Sequence, residues 1–248
     1  MPLTLATQAP GEPEIFASLQ GEGVSSGRPS TFIRLSRCNL ACVWCDTAYT
    51  WHFTGDNRPH RDDATVERAA NQVTLSEEEA AARIVALAPR RLVITGGEPL
   101  LQQEDFLKVI SHIRKEDPQH QFEVETNGTR IPTPEFATAV NQFNISPKLG
   151  NAGMPEKARI NPAALAFFTG HPNAWFKFVV ATPADLEEIE HLILEHGLPR
   201  KRSLLMPEGR TPAELDRSSE WLAEICRDRR FRFCDRLHVR IWGDKRGV

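Results

Sequence analysis

Three of the five cysteines in this 248-residue chain, Cys38, Cys42 and Cys45, fall on one short stretch, "CNLACVWC". Cubic iron–sulfur clusters usually take one thiolate per iron, and a C-x3-C-x2-C run supplies three from a single loop. Cys226 and Cys234 lie far downstream, in a helix-like stretch and a terminal segment, where they read as core or surface residues. One iron would then keep an open position, which the amino and carboxylate groups of a methionine moiety would suit. A zinc ion completed by His52, the nearest downstream histidine, would make the same loop a structural staple, although zinc knots more often use paired C-x2-C hooks. A chance group of thiols is the third reading of the spacing.

Further residues with chemistry sit where apolar runs stop. Gly96, Gly97 and Glu98 follow "RLVIT", Thr126 and Asn127 follow "FEVE", Ser146 and Lys148 follow "FNI", and Pro207 and Glu208 follow "SLLM". Each has an ordinary alternative: Gly-Gly as a tight turn, Asn-Gly as a turn signal, and the lysine as an exposed charge. Arg34 reads equally well as a strand-surface arginine, and Thr47 as a turn or cap residue.

The elements that must carry these residues follow one rhythm. "TFIRLS" is a strand leading directly into the cysteines. Beyond residue 75, strand-like runs alternate with amphipathic stretches: "SEEEAAARIVALA", with Ser76 as N-cap, then "RLVITGG", "LLQQEDFLKVISHIRKE", "FEVETNG", "FNIS", "WFKFVVAT", "PADLEEIEHLILEHG", "SLLMPEG" and "PAELDRSSEWLAEICRDR". About six strand–turn–helix units of this kind build a parallel sheet, as an open sheet or a barrel, and ligands collect at the carboxyl ends of its strands. Residues 52–74 are polar and turn-rich and read as an insertion or mobile loop. The stretch "ISPKLGNAGMPEKARINP" is also irregular.

Composition narrows the functional classes. About 40% hydrophobic residues suffices for one sizeable core, so a single domain over 1–248 is expected. Net charge is −3 with Lys and Arg dispersed, which argues against nucleic-acid or membrane-surface binding. The first residues lack a secretory pattern and no window is apolar enough to span a bilayer, so a cytoplasmic location is expected. In that compartment an odd number of thiols with three clustered points to metal binding or catalysis rather than disulfides.

The cysteine loop together with "GGEP" at 96–99 resembles radical S-adenosylmethionine (SAM) enzymes. "IFASLQGEG", "CNLACVWCDTAYTW", "TGGEPLLQ", "ETNGT", "SPK", "LMPEG" and "HVRIWGDKRG", in that order, are similar to the 7-carboxy-7-deazaguanine synthase family within them. The resemblance implies an α/β fold, a partial (β/α)6-type radical SAM barrel with a parallel sheet, modified here by the insertion after the cysteine loop. It implies a [4Fe-4S] cluster on Cys38, Cys42 and Cys45, Mg²⁺ on Thr47, and SAM against Gly97, Glu98, Asn127, Ser146, Pro147, Lys148, Met206, Pro207, Glu208 and Gly209. It places the substrate, 6-carboxy-5,6,7,8-tetrahydropterin, against Leu19, Gln20, Gly21, Arg34, Thr95 and Val248. Hydrogen abstraction from C6, ring contraction and loss of ammonia would give 7-carboxy-7-deazaguanine, a queuosine precursor, with SAM regenerated. An electron donor such as a flavodoxin and a homodimer are implied as partners. Two competing readings are a glycyl-radical-enzyme activase, which would lack "LQGEG" and "CDTAYTW", and a zinc-stapled binding module without catalysis.

Overall fold

The structure, a computed structural model, describes residues 2–248. Its strands are β1 (Leu3–Ala9), β2 (Glu12–Pro13), β3 (Ile15–Leu19), β4 (Pro29–Leu35), β5 (Gln72–Leu75), β6 (Arg91–Gly96), β7 (Gln121–Thr126), β8 (Gln142–Ile145), β9 (Ala174–Val180), β10 (Ser203–Pro207) and β11 (Arg232–Phe233). Its helices are α1 (Arg68–Asn71), α2 (Glu77–Val85), α3 (Gln103–Glu116), α4 (Pro134–Ala139), α5 (Glu156–Arg159), α6 (Pro162–Gly170), α7 (Asp185–His196), α8 (Pro212–Arg229) and α9 (Leu237–Trp242).

From β4 onward the sheet is parallel and follows chain order, β4-β6-β7-β8-β9-β10-β11, with a helix in every crossover. The far flank of β4 is covered by the antiparallel strands β3 and β1. The sheet is therefore an open arc, a partial (β/α)6 barrel whose first and last strands do not meet. Local signals agree with the helix boundaries. Ser76 and Glu79 form a reciprocal capping box on α2, Thr211 and Glu214 do so on α8, and α7 stops at Gly197 in the left-handed conformation.

Alternation along each strand sorts the two faces of the arc. Ile33, Leu35, Leu92, Ile94, Phe122, Val124, Phe143, Ile145, Phe176, Phe178 and Val180 belong to the main apolar core under the helices. Their neighbours in sequence, Arg34, Thr95, Glu123, Glu125, Asn144, Ser146 and Lys177, must point to the opposite, concave face because successive strand side chains alternate. A parallel sheet whose concave face is this polar is a scaffold for a ligand, since packing alone would favour apolar residues there.

The double glycine after β6 has a backbone cause. A Cβ on Gly96, which holds φ +129°, would sit 2.0 Å from the Leu35 carbonyl oxygen, and one on Gly97 would sit 2.0 Å from that of Arg37. Gly97 and Glu98 donate their backbone N–H groups to these same two carbonyls, each at 2.9 Å. The end of β6 is thus stitched to the chain entering the cysteine loop at a separation only glycine permits.

Residues 52–74, expected to be an insertion or mobile loop, carry contacts that the sequence pattern does not announce. Trp51, His52, Phe53 and His60 are buried, Phe53 bridges Val66, and residues 72–75 continue as β5 along β1. Backbone bonds such as Thr54 to Val66 and Arg61 to Val43 replace the missing periodicity, which is why a pattern search finds none.

The Gly97→Ala variant should lose about 3 kcal/mol, because the carbonyl it strikes belongs to rigid backbone. A melting temperature about 10 °C below that of the native chain checks this; an unchanged value would mean that the two strand ends can part at no cost.

Candidate active site

A cavity of about 460 Å³ opens on the concave face, bounded by the strand ends, the cysteine loop and the C-terminal segment. Cys38, Cys42, Cys45 and Thr47 line it, as do Gly97, Asn127, Ser146, Lys148, Met206 and Glu208 from the expected SAM set. So do Leu19, Gln20, Gly21, Arg34, Thr95 and Val248 from the expected substrate set. Glu98, Pro147, Pro207 and Gly209 are not among its lining residues.

Glu98 is a buried strut. Its carboxylate accepts from Leu100 N at 3.0 Å, Thr126 Oγ1 at 2.8 Å and Asn127 N at 2.8 Å, so it ties the ends of β6 and β7 together. Burial pushes its pKa up while these donors oppose the shift. Gly209 serves packing, since a Cβ there would lie 2.8 Å from Glu214 Cβ on α8. Asn127 donates to Asn39 Oδ1 at 3.0 Å, fastening the end of β7 to the cysteine loop.

The three thiols are free and sit in a small apolar cluster with Leu40, Trp44, Ala152 and Met154. Burial pushes Cys38 up to about 12 and Cys42 up to about 11, and raises Cys45. Among the described residues no three His, Cys, Asp or Glu side chains converge on a point that would hold one metal ion. The sulfurs are thus not arranged about a single zinc, and His52 joins no such group with them, its Nδ1 lying 4.0 Å from Asp56. A donor set of three sulfurs spread around an apolar cup fits a polynuclear cluster, whose irons each take one thiolate.

Charge is arranged in two camps. Arg34 donates from Nε to buried Glu14 at 2.7 Å, and Tyr49 donates its hydroxyl to the same carboxylate at 2.9 Å. Burial works against the Arg34 charge, but Tyr49 and Glu14 raise its pKa, so the guanidinium stays cationic on the cavity wall. Opposite lie Glu22, Glu123 and Glu125. Gln20 Nε2 donates to Glu123 at 2.8 Å and Glu125 at 3.2 Å, and Asn144 Nδ2 donates to the same pair. Lys177 bridges Glu22 and Glu125. Burial would raise Glu22, yet Lys177 and Arg236 hold it well below the usual carboxylate range, whereas burial and its acidic neighbours raise Glu125.

Several of these residues escaped sequence reading. Glu22 stands inside the quoted "LQGEG", and Glu125 inside "ETNG", so motif position could have raised them; Lys177 and Arg236 carry no local signal. Arg236 donates to Glu22 at 2.9 Å, to the Gly209 carbonyl at 2.5 Å and to Asp46. His238 reaches the wall only because Gly21 has no side chain, a Cβ there falling 2.0 Å from His238 Nδ1.

The sequence matches the Radical SAM superfamily over residues 32–152. It is 38% identical to a 7-carboxy-7-deazaguanine synthase of Pyrobaculum aerophilum, over 94% of this chain and 95% of that protein. It is 32% identical to the enzyme of the same name from Hyperthermus butylicus, over 92% and 91%. The crystal structure of QueE from Escherichia coli superposes with a TM-score of 0.65 at 25% identity, covering 95% of each chain.

Because the folded-state pKa values of Cys38 and Cys42 lie above the ordinary thiol value of 9.0, their contribution to stability is complete below pH 9 and fades as pH climbs through about 11 to 12. Metal-free protein should therefore lose on the order of 4 kcal/mol more stability between pH 9 and 11 than a Cys38→Ser/Cys42→Ser variant, about half from each thiol. Parallel denaturation curves across that range check the difference; identical pH dependence would contradict the burial of these thiols.

Proposed function

The chain belongs to the 7-carboxy-7-deazaguanine synthase family of radical SAM enzymes, and we propose that it forms 7-carboxy-7-deazaguanine from 6-carboxy-5,6,7,8-tetrahydropterin with the help of Mg²⁺. The observation that carries the substrate is the polarity of the cavity, with Arg34 on its wall together with the carboxylates of Glu22 and Glu125. A pterin bearing a carboxylate has the matching ends: an anion for a guanidinium fork, and an aminopyrimidinone edge rich in N–H donors for carboxylates.

When bound, the [4Fe-4S] cluster supplies the electron that splits SAM into methionine and a 5′-deoxyadenosyl radical. The residues of the chain bind, orient and shield. Cys38, Cys42 and Cys45 hold the cluster. Gly97, Asn127, Ser146 and Lys148 line the side of the cavity where strand ends meet the cysteine loop, and Met206, packed with Val179 and Leu204, offers an apolar wall suited to a flat adenine. Pro147, Pro207, Glu208 and Gly209 complete this side, and Glu98 supports it from behind.

For the substrate, Leu19, Gln20 and Gly21 supply a segment whose Gln20 side chain is already fixed by the two glutamates. Arg34 and Thr95 are neighbours on paired strands and face the carboxylate end. Thr47, beside Cys45, offers the hydroxyl for Mg²⁺, an ion that keeps several waters and needs few protein oxygens. The segment from 243 to 248, ending at Val248, lies along the mouth, with the Arg246 guanidinium 3.3 Å from the centre of the Tyr49 ring. Excluding water there protects a radical from quenching.

We further infer a single cytoplasmic domain acting as a homodimer and served by a one-electron donor such as a flavodoxin. No helix among the described residues is long and apolar enough to cross a membrane.

Protein reconstituted anaerobically with iron and sulfide should be brown, bleach with dithionite, and convert 6-carboxytetrahydropterin when SAM and Mg²⁺ are present. Iron-loaded protein that cleaves SAM yet yields no deazaguanine carboxylate would refute the substrate assignment. Arg34→Lys, which gives up the fork, should raise KM by about tenfold or more with a smaller change in kcat. Thr47→Ala should raise the Mg²⁺ concentration needed for half-maximal rate by about tenfold.

A further inference from the structure

We propose that Trp51 tunes the redox potential of the iron–sulfur centre by donating its indole N–H to the sulfur of Cys45. The inference rests on the assignment of Cys45 as a cluster ligand and adds a residue that sets the electronic character of that ligand. Trp51 Nε1 lies 3.4 Å from Cys45 Sγ, within reach for a hydrogen bond to sulfur. The sulfur of Cys38, by contrast, accepts from the backbone N–H of Leu40 at 3.4 Å. Among the described residues, Cys45 alone of the three receives a side-chain N–H.

The placement of this donor is built, not incidental. The 3-10 turn at Ala48–Thr50 reverses the chain so that Trp51, whose own N–H bonds Ala48 O at 3.0 Å, folds back over residue 45. The ring is 4% exposed and held from several sides. Arg58 lies 4.6 Å over its face, and Asp56 fixes that guanidinium with two oxygens. His60 meets the indole edge-on at 6.3 Å and His52 packs at 4.9 Å.

His60 adds a second donor to the same cysteine. Its Nδ1 accepts from Asp62 N at 3.3 Å, so Nε2 carries the proton and donates to the Cys45 carbonyl at 2.8 Å. The packed insertion thus delivers one N–H to the sulfur of Cys45 and another to its backbone.

On reduction, the centre takes one electron from a reductant and goes from the 2+ to the 1+ state, and part of the added charge resides on the thiolate sulfurs. An N–H dipole aimed at such a sulfur stabilises the reduced form more than the oxidised one and so raises the potential. The bond is sheltered from solvent, where its electrostatic effect is larger than in water. Its role is to ease loading of the electron by a biological donor.

The clean test replaces Trp51 by 3-benzothienylalanine, which keeps the shape of the indole but puts sulfur in place of the N–H; Trp51→Phe serves as a second variant. Each protein is reconstituted anaerobically, its iron and sulfide content is measured, and the centre is titrated with dithionite while the reduced form is followed by electron paramagnetic resonance. The expected result is native iron content with a reduced-to-oxidised ratio about tenfold lower at the native midpoint, equivalent to about 59 mV for one electron. The Fe–S(Cys) stretch in resonance Raman should shift as well, a change that a purely structural role for the ring would not produce. An isosteric variant with full iron content and the native midpoint overturns the proposal. Native protein that binds no iron overturns the cluster assignment itself, and the role of Trp51 with it.

Discussion

The Arg236 guanidinium holds together three parts of the molecule that are remote in sequence. Nε meets Glu22 in the β3–β4 connection, one terminal nitrogen meets the Gly209 carbonyl beyond β10, and the other meets Asp46, the residue between Cys45 and Thr47. Removing charges such as Arg236, Lys177 and Glu22 from water is costly, and their attraction compensates only when each has a partner in good geometry, Arg236 finding one of its own in the partly exposed Asp46. That condition is met: Asp46 is held ionised by Arg236, and Lys177 stays charged against Glu125 and Glu22 although burial opposes it. The concave face can therefore be charged without collapsing. The position of the cysteine loop relative to the Leu19–Glu22 segment depends on one planar group whose fork no lysine could reproduce.

This constraint explains why the polar side of the sheet had to be closed by the end of the chain. An open arc leaves its concave face to solvent unless another element covers it, and α9 with the following residues does so, anchored by Arg236 and by the Leu237 N–H on the Gly21 carbonyl at 2.8 Å. Gly21 matters here twice over, since it both accepts this bond and leaves space for His238. Burial pushes His238 below its ordinary pKa despite Glu22 nearby, so the ring that faces the cavity is neutral at pH 7 and can both donate and accept.

Much of the scaffold was legible because it is written in local periodicity. The six longer parallel strands and their helices follow runs of alternating or amphipathic residues, and Ser76 with Glu79 marks the start of α2 as capping chemistry requires. The cysteine loop was legible as a donor set, and the named relatives confirm the family that its neighbouring motifs suggested. What stayed hidden is non-local. β1 and β3 are apolar strands whose only mark is antiparallel pairing with a strand elsewhere in the chain, and the residues around His60 are ordered by single bonds to backbone carbonyls. Lys177 reads as a lone charge in "WFKFVVAT" and gains meaning only once β9 is set beside β8 and Glu22 is folded over it. Glu98 has a role that its place in "GGEP" does not announce: three short bonds from the protein make it a brace between strand ends.

The insertion is best understood through the same electrostatic logic as the C-terminal cover. Arg61 donates to Glu208 at 2.8 Å and to the Trp44 carbonyl at 3.2 Å, while Asp62 receives both terminal nitrogens of Arg210. Arg210 in turn faces Asp244 at 3.8 Å. One chain of charges thus runs from the insertion, across the loop after β10, to the tail that borders the cavity mouth. These pairs are partly exposed, so each contributes little to stability on its own. Their consequence is positional: the cysteine loop is backed by the insertion on one side and fixed by Arg236 on the other, and neither can move away without breaking an ion pair that the tail shares. A site that must keep solvent from a reactive radical gains from such coupling, because the elements that border its mouth are bound to the same residues that hold the cysteine loop in place.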